Sequence, residues 1–265
     1  MNSDDTKKFG LIIIESLPNG DKKTGFNLHH STIKYKVFQE PNLSSEFYDV
    51  DTGKDLVELL KRIVNDAIAN NYFFFFHFEI HGFDGGLELK NGDEIYWNEL
   101  LSILLPLNIH YKNTLGLYLA VCNGASLLKY LNPMERSPFR FILASPKNIK
   151  IVDLEKGFDI FYEHFFFSYD IVESLEKYNS VIINEDSRLS LITSQYCIDT
   201  LCDIERETAD KDKILDLLKE IFIKENKEFE NLSERKMYEI LKNEMTRIFD
   251  EAKLNKDYYL MKDLE

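Results

Sequence analysis

Ten consecutive residues, YFFFFHFEIH at 72–81, constrain this chain most. Strand alternation puts Tyr72, Phe74, Phe76, Phe78 and Ile80 on one face and Phe73, Phe75, His77, Glu79 and His81 on the other. A strand this apolar on both faces must be covered on both. Its second face turns from aromatic to ionisable toward the carboxyl end, where His81 is followed by Gly82.

Three further segments read the same way. FGLIIIES (9–16), LGLYLAVC (115–122) and FRFILAS (139–145) are short, nearly continuous apolar runs, and TIKYKVFQE (32–40) alternates enough to predict an outer strand. Between them lie helical patterns. Residues 55–68 place Leu56, Leu59, Leu60, Ile63, Val64, Ala67 and Ile68 at helical spacing, with Asp55 in the first turn. WNELLSILL (97–105) is expected to stop at Pro106, a short helix follows residue 122, and one long helix is expected from about Leu154 to Tyr178. Strands alternating with helices predict an α/β fold, a mainly parallel sheet flanked by helices.

From about Asp203 the text becomes charge-rich. Residues 210–229 and 233–254 read as two amphipathic helices around Asn231–Ser233, too short in heptads for a coiled coil. The predicted organisation is one domain over 1–203 and a helical extension over 204–265 packed on or next to it.

Composition excludes several function classes. With 32 basic and 46 acidic residues the formal charge is −14, and no Lys/Arg cluster exceeds a pair, so direct binding to nucleic acid is not expected. No apolar run approaches the roughly 18 residues needed to span a bilayer, and MNSDDTKKFG has no apolar leader core. A cytoplasmic protein without membrane partners is the expectation. The three cysteines, Cys122, Cys197 and Cys202, are too few and scattered for a disulfide framework and have no zinc-ligand spacing, so free thiols and no metal are expected. No phosphate loop or calcium-loop pattern occurs, and no cofactor is expected.

Cys122 ends its apolar run much as His81 ends its own, and Asn123-Gly124 provides a sharp exit. In open parallel sheets ligands sit beyond the carboxyl ends of the strands. If the two strands are neighbours, thiol and imidazole meet there. A nearby His can take the thiol proton and hand one to a leaving amine, and the backbone N–H groups of Gly82 and Cys122 could stabilise an oxyanion. The default readings are plainer elsewhere. His77 shares a face with Glu79 and is expected to hydrogen-bond it, and Cys197 and Cys202 are expected to be buried. His29-His30 reads as surface or a site rim, His110 and His164 as incidental, and Gly85-Gly86 as a turn.

A strand ending His-Gly, with an apolar strand ending in Cys-x-Gly 122 − 81 = 41 residues later, resembles the caspase-like cysteine peptidases, especially the bacterial CHAT branch related to separases. FRFILASPKNIKIVD followed by GFDIFYEHFF is similar to the family's next strand, substrate-binding loop and helix. The resemblance implies a caspase-like three-layer fold with C-terminal helices added. It implies a Cys122–His81 dyad, oxyanion donors at Gly82 and Cys122, and an endopeptidase acting on a protein substrate bound as an added strand. It further implies regulated intracellular proteolysis, such as bacterial antiviral defence or cell death, with an activating or regulatory protein as a possible partner. Only Cys122 and Gly124 match the caspase Q-A-C-x-G text, and Ala120 stands where many relatives carry an Asp of a basic P1 pocket. Asp153 and Glu155 are the weaker candidates for favouring Arg or Lys at P1. The alternatives are a caspase-like fold kept as an inert binding or regulatory module, and a cysteine amidase of another α/β family.

Overall fold

The computed structural model describes residues 9–40, 42–207, 219, 229 and 232–264, with backbone alone at 201–207, 245 and 248–254. It is an α/β structure built on one mainly parallel sheet flanked by helices. Strands β1 (Phe9–Ser16), β2 (Leu43–Asp49), β3 (Phe73–Phe83), β6 (Gly116–Leu119), β7 (Phe141–Ala144) and β8 (Ser190–Thr193) lie in the order β2-β1-β3-β6-β7-β8. All pair in parallel except β7 with β8. The short strands β4 (Gly86–Glu88) and β5 (Glu94–Tyr96) form an antiparallel ribbon that continues from the carboxyl end of β3. That ribbon explains why β3 outruns its neighbour β6.

The expected alternation holds along β3. Phe75 and His77 face one helical layer, where Phe75 meets Tyr118, Phe141 and Phe165, and His77 meets the ring of Phe158. This layer is α1 (Thr24–Leu28), a π-helical turn at His29–Ile33, α5 (Ile151–Ser168) and α6 (Ile171–Val181). The opposite parity, Phe74, Phe76, Phe78 and Ile80, is also buried. Burial on both faces is what a crossover-connected parallel sheet requires. The crossover helices α3 (Gly53–Asn70) and α4 (Trp97–His110) pack on each other and bury Leu56, Leu60, Leu100 and Leu104.

Four expectations are corrected. Residues 32–40 are not a strand: Lys34–Gln39 is helix α2. Ile33 and Val37, four residues apart, both pack on the core, whereas Tyr35 and Phe38 face outward. The period-four pair won over the polar alternation. The outer strand is instead LSSEFYD, which reads as polar because, among the described residues, one edge of it has no strand neighbour.

Helix α4 runs through Pro106 to His110. Its last turn is held by Asn108, which donates to the Ser137 carbonyl at 2.7 Å and to Asn113 Oδ1 at 3.1 Å, and accepts from Leu115 N at 2.9 Å. These bonds offset the one backbone bond that proline forfeits. The single helix expected over 154–178 is two, because Tyr169 is left-handed (φ 55) and Asp170 caps α6 by accepting from Val172 N and Glu173 N at 2.9 Å each. Finally, the strand expected to reach Cys122 leaves the ladder at Leu119.

The chain divides into two compact units, Met1–Leu131 with Ser137–Ser194, and Asn132–Arg136 with Gln195–Glu265. Within the second, α7 (Ser194–Glu207) leads to a buried Ile198 that clusters with Tyr259 and Leu260 near the end of α8 (Glu234–Tyr259). Arg136 pairs with Asp263 and lies 4.3 Å from the Tyr258 ring centre. The helix expected over 210–229 lies outside the described residues apart from Lys219 and Phe229, and so does the side chain of Cys202.

Candidate active site

Parallel register sets the site. Phe78 pairs with Leu119, an offset of 119 − 78 = 41 residues, and Ala120 N donates to the Phe78 carbonyl at 3.0 Å. The same offset places Cys122 beside His81. The ladder has ended there, yet the two chains remain in contact: a Cβ on Gly82 would lie 2.1 Å from the carbonyl oxygen of Cys122 and 3.1 Å from its nitrogen. Gly82 is therefore required by the close approach of the Cys122 backbone. The sequence reading gives Gly82 a different part, as a backbone donor to an oxyanion.

Cys122 sits in a tight turn rather than in a strand. Asn123 takes a left-handed conformation (φ 55), and a 3-10 helix at Gly124–Tyr130 follows. Asparagine tolerates that conformation better than a branched residue does. The turn is fastened from several sides. Asn123 N donates to the Lys147 carbonyl and Ala125 N to the Ser145 carbonyl, both at 3.0 Å, and buried Trp97 donates its indole N–H to Ser126 Oγ at 2.9 Å. Cys122 is partly exposed, and among the described residues its backbone N–H donates no hydrogen bond. By contrast Cys197 is buried, and burial pushes its thiol up to about 11.

His81 is half-exposed, and its Nε2 lies 2.8 Å from Asp21 Oδ2. An ionised carboxylate only accepts hydrogen bonds, so Nε2 carries the proton and the lone pair of the neutral ring is on Nδ1. Among the described residues no hydrogen bond joins the Cys122 thiol to His81.

Below this edge lies a buried polar network. His77 has both nitrogens bonded at 2.9 Å, Nδ1 to the Tyr162 hydroxyl and Nε2 to Glu79 Oε1. Glu79 also accepts from Thr24 Oγ1 at 2.6 Å. Its neighbour across the ladder, Glu15, accepts from Gly25 N and Phe26 N at 2.9 and 3.2 Å. Burial raises the Glu15 carboxyl above its ordinary range, with the charge of Glu79 acting in the same direction, while the two backbone N–H groups and Lys23 oppose the rise. The surrounding phenols of Tyr162 and Tyr178 are raised by burial and by nearby carboxylates.

The two weaker substrate-binding candidates part company. Asp153 is buried in the first turn of α5, with its carboxylate directed at the backbone N–H groups of Ile183 and Asn184. Glu155, also in α5, pairs with Lys22 and accepts from Asn27 Nδ2 at 3.3 Å. It lines a small cavity of about 30 Å³ together with Thr24, Asn27, Ser31, Glu79 and Asp159.

Asp21 was missed by sequence reading. Its signal was the turn text LPNGD immediately beyond the carboxyl end of β1, the edge at which the site was expected. Among the described residues no group of three or more His, Cys, Asp or Glu is arranged to hold a metal ion, and no helix is long and apolar enough to cross a membrane. No protein-family model matches the chain, and no curated protein matches its sequence.

Proposed function

We propose that this chain is a cysteine endopeptidase in which Cys122 is the nucleophile and His81 the general base and acid. The observation that carries the reading is the juxtaposition of Cys122 with His81-Gly82 at the carboxyl ends of adjacent parallel strands. Both residues are partly open to solvent there, while the sheet beneath is closed. In this scheme the Cys122 proton moves to His81 Nδ1 and the thiolate attacks the scissile carbonyl carbon. The carbonyl π electrons move onto oxygen, where the Cys122 N–H, which has no acceptor among the described residues, donates to the oxyanion. The C–N bond then breaks as His81 returns the proton to the leaving amine. Water hydrolyses the thioester by the same two steps, restoring the thiol.

For a basic P1 side chain the candidate left is Glu155, which would exchange Lys22 for the substrate. The cavity of about 30 Å³ that it lines is water-sized and would have to open to admit such a chain. Asp153, turned to the backbone of residues 183–184, has no part in this. The second reading, a catalytically silent binding module, is favoured by the unmade bond between thiol and imidazole. Catalytic hydrogen bonds often close only when substrate is bound, so the peptidase reading is preferred. A library of internally quenched peptides separates the two. Cleavage by the native chain that vanishes in Cys122→Ala supports the peptidase, and cleavage that persists in that variant overturns it.

A further inference from the structure

We infer that Asp21 is a positioning residue for His81, presented by a strap over residues 17–23 that the buried carboxylates of Glu15 and Glu79 hold in place. This rests on the peptidase reading above. The strap leaves the end of β1 and doubles back so that Asp21 N bonds the Pro18 carbonyl at 3.0 Å, and the Lys23 ammonium closes onto the Leu17 carbonyl. Its far end is fixed from below. Thr24 donates to Glu79, two residues before His81 on the same face of β3, and Gly25 and Phe26 donate to Glu15. Lys22 ties the strap to α5 through Glu155. Residues on either side of Asp21 are thus pinned to β1, β3 and α5, which is what an orienting group needs.

The chemistry follows from a single bond. Asp21 Oδ2 accepts from Nε2–H, so the ring keeps the tautomer whose Nδ1 is a base, and the carboxylate charge favours the imidazolium formed when Nδ1 takes the proton from Cys122. Asp21 touches neither substrate nor the reacting atoms. It acts through His81 alone.

The test is the iodoacetamide alkylation rate of Cys122 against pH, read by peptide mass in the full chain with Cys197 as the buried internal control. The variants are His81→Ala, Asp21→Asn, Asp21→Ala and Asp21→Glu, each checked for unchanged thermal unfolding. An exposed charge pair predicts that Asp21→Asn slows alkylation at neutral pH about two- to fivefold and displaces the pH profile toward alkali. Asp21→Ala loses at least as much, and Asp21→Glu recovers most of it. A loss confined to fold stability would leave the profile where it is. If His81→Ala slows Cys122 while Asp21→Asn and Asp21→Ala match the native chain throughout, the inference alone is overturned. If the native chain already alkylates at the His81→Ala rate, the peptidase reading falls and the inference falls with it.

Discussion

His77 and His81 stand four residues apart on one face of one strand, and their surroundings could hardly differ more. His77 is sealed from solvent with both nitrogens bonded, one to Tyr162 and one to Glu79. A ring so held has no nitrogen left for a reacting group, and it ties strand β3 to helix α5. His81 is half-exposed, with Nε2 on Asp21 and, among the described residues, no hydrogen bond at Nδ1. The residue type is the same, and the number of nitrogens already satisfied separates a scaffold histidine from one that a reacting group could use.

Exchanging the two roles by mutation tests that distinction most strongly. His81→Ala should lower peptide cleavage by about 10²–10⁴-fold with little change in the urea midpoint. His77→Ala should do the reverse, costing about 3 kcal/mol by orphaning the Tyr162 hydroxyl and Oε1 of Glu79. The fraction that stays folded should keep its alkylation rate at Cys122. Equal losses of stability in the two variants would break the comparison.

A second expectation concerns the junction of the two strands. Gly82→Ala sets a methyl group against the Cys122 carbonyl oxygen at 2.1 Å, so one backbone must move. Displacement of a reacting group by about 1 Å costs about 10²-fold in rate, and cleavage should fall accordingly while the rest of the sheet, observed by hydrogen exchange, is unchanged. Native activity in Gly82→Ala would mean that the approach of Cys122 to β3 is not needed.

A third histidine sharpens the contrast through pH. His29 is buried with Nε2 3.2 Å from Ser45 Oγ and Nδ1 without a hydrogen-bond partner among the described residues, and burial, reinforced by the charges of His30 and Lys34, lowers it from 6.5 to about 4. The unfolded chain therefore binds this proton first as the pH falls. Stability contributed by neutral His29 is complete above about pH 6.5 and is lost progressively toward pH 4, amounting to about 2 kcal/mol by pH 5. In His29→Phe, which keeps the stacking on Phe47, that part of the slope in urea unfolding should disappear. An unchanged slope would assign it to other groups.

Much of this was legible in sequence because burial on both faces leaves a strong mark. Phe9–Ser16 and Phe73–Phe83 announce themselves as apolar runs, and the helix over Gly53–Asn70 by its spacing and Asp55 in its first turn; the Thr52 cap, whose Oγ1 accepts from Asp55 N, is seen only in the structure. The partnership of His77 with Glu79 followed from strand alternation alone. What failed was decided by tertiary context. Edge strand Leu43–Asp49 carries few apolar residues, and the turn of Lys34–Gln39 into a helix depends on the core that Ile33 and Val37 meet. Pro106 is tolerated because Asn108 finds partners far along the chain. The break at Tyr169 was readable from Asp170 with Glu173 three residues on, a capping pattern hidden by the apolar text around it. Asp21 is legible only in part: the turn text LPNGD puts it at the sheet edge where the site is expected, but nothing local indicates that this turn reaches the end of β3.

The central claim is that His81 activates the Cys122 thiol, and competitive labelling tests it most directly. Native chain and His81→Ala are mixed in equal amounts, one isotopically marked, and exposed to limiting iodoacetamide at neutral pH. The account predicts that Cys122 of the native chain is labelled at least about tenfold faster, a small part of the range open to a paired thiol, with Cys197 labelled slowly and equally in both. Equal labelling of Cys122 in the two chains would contradict it.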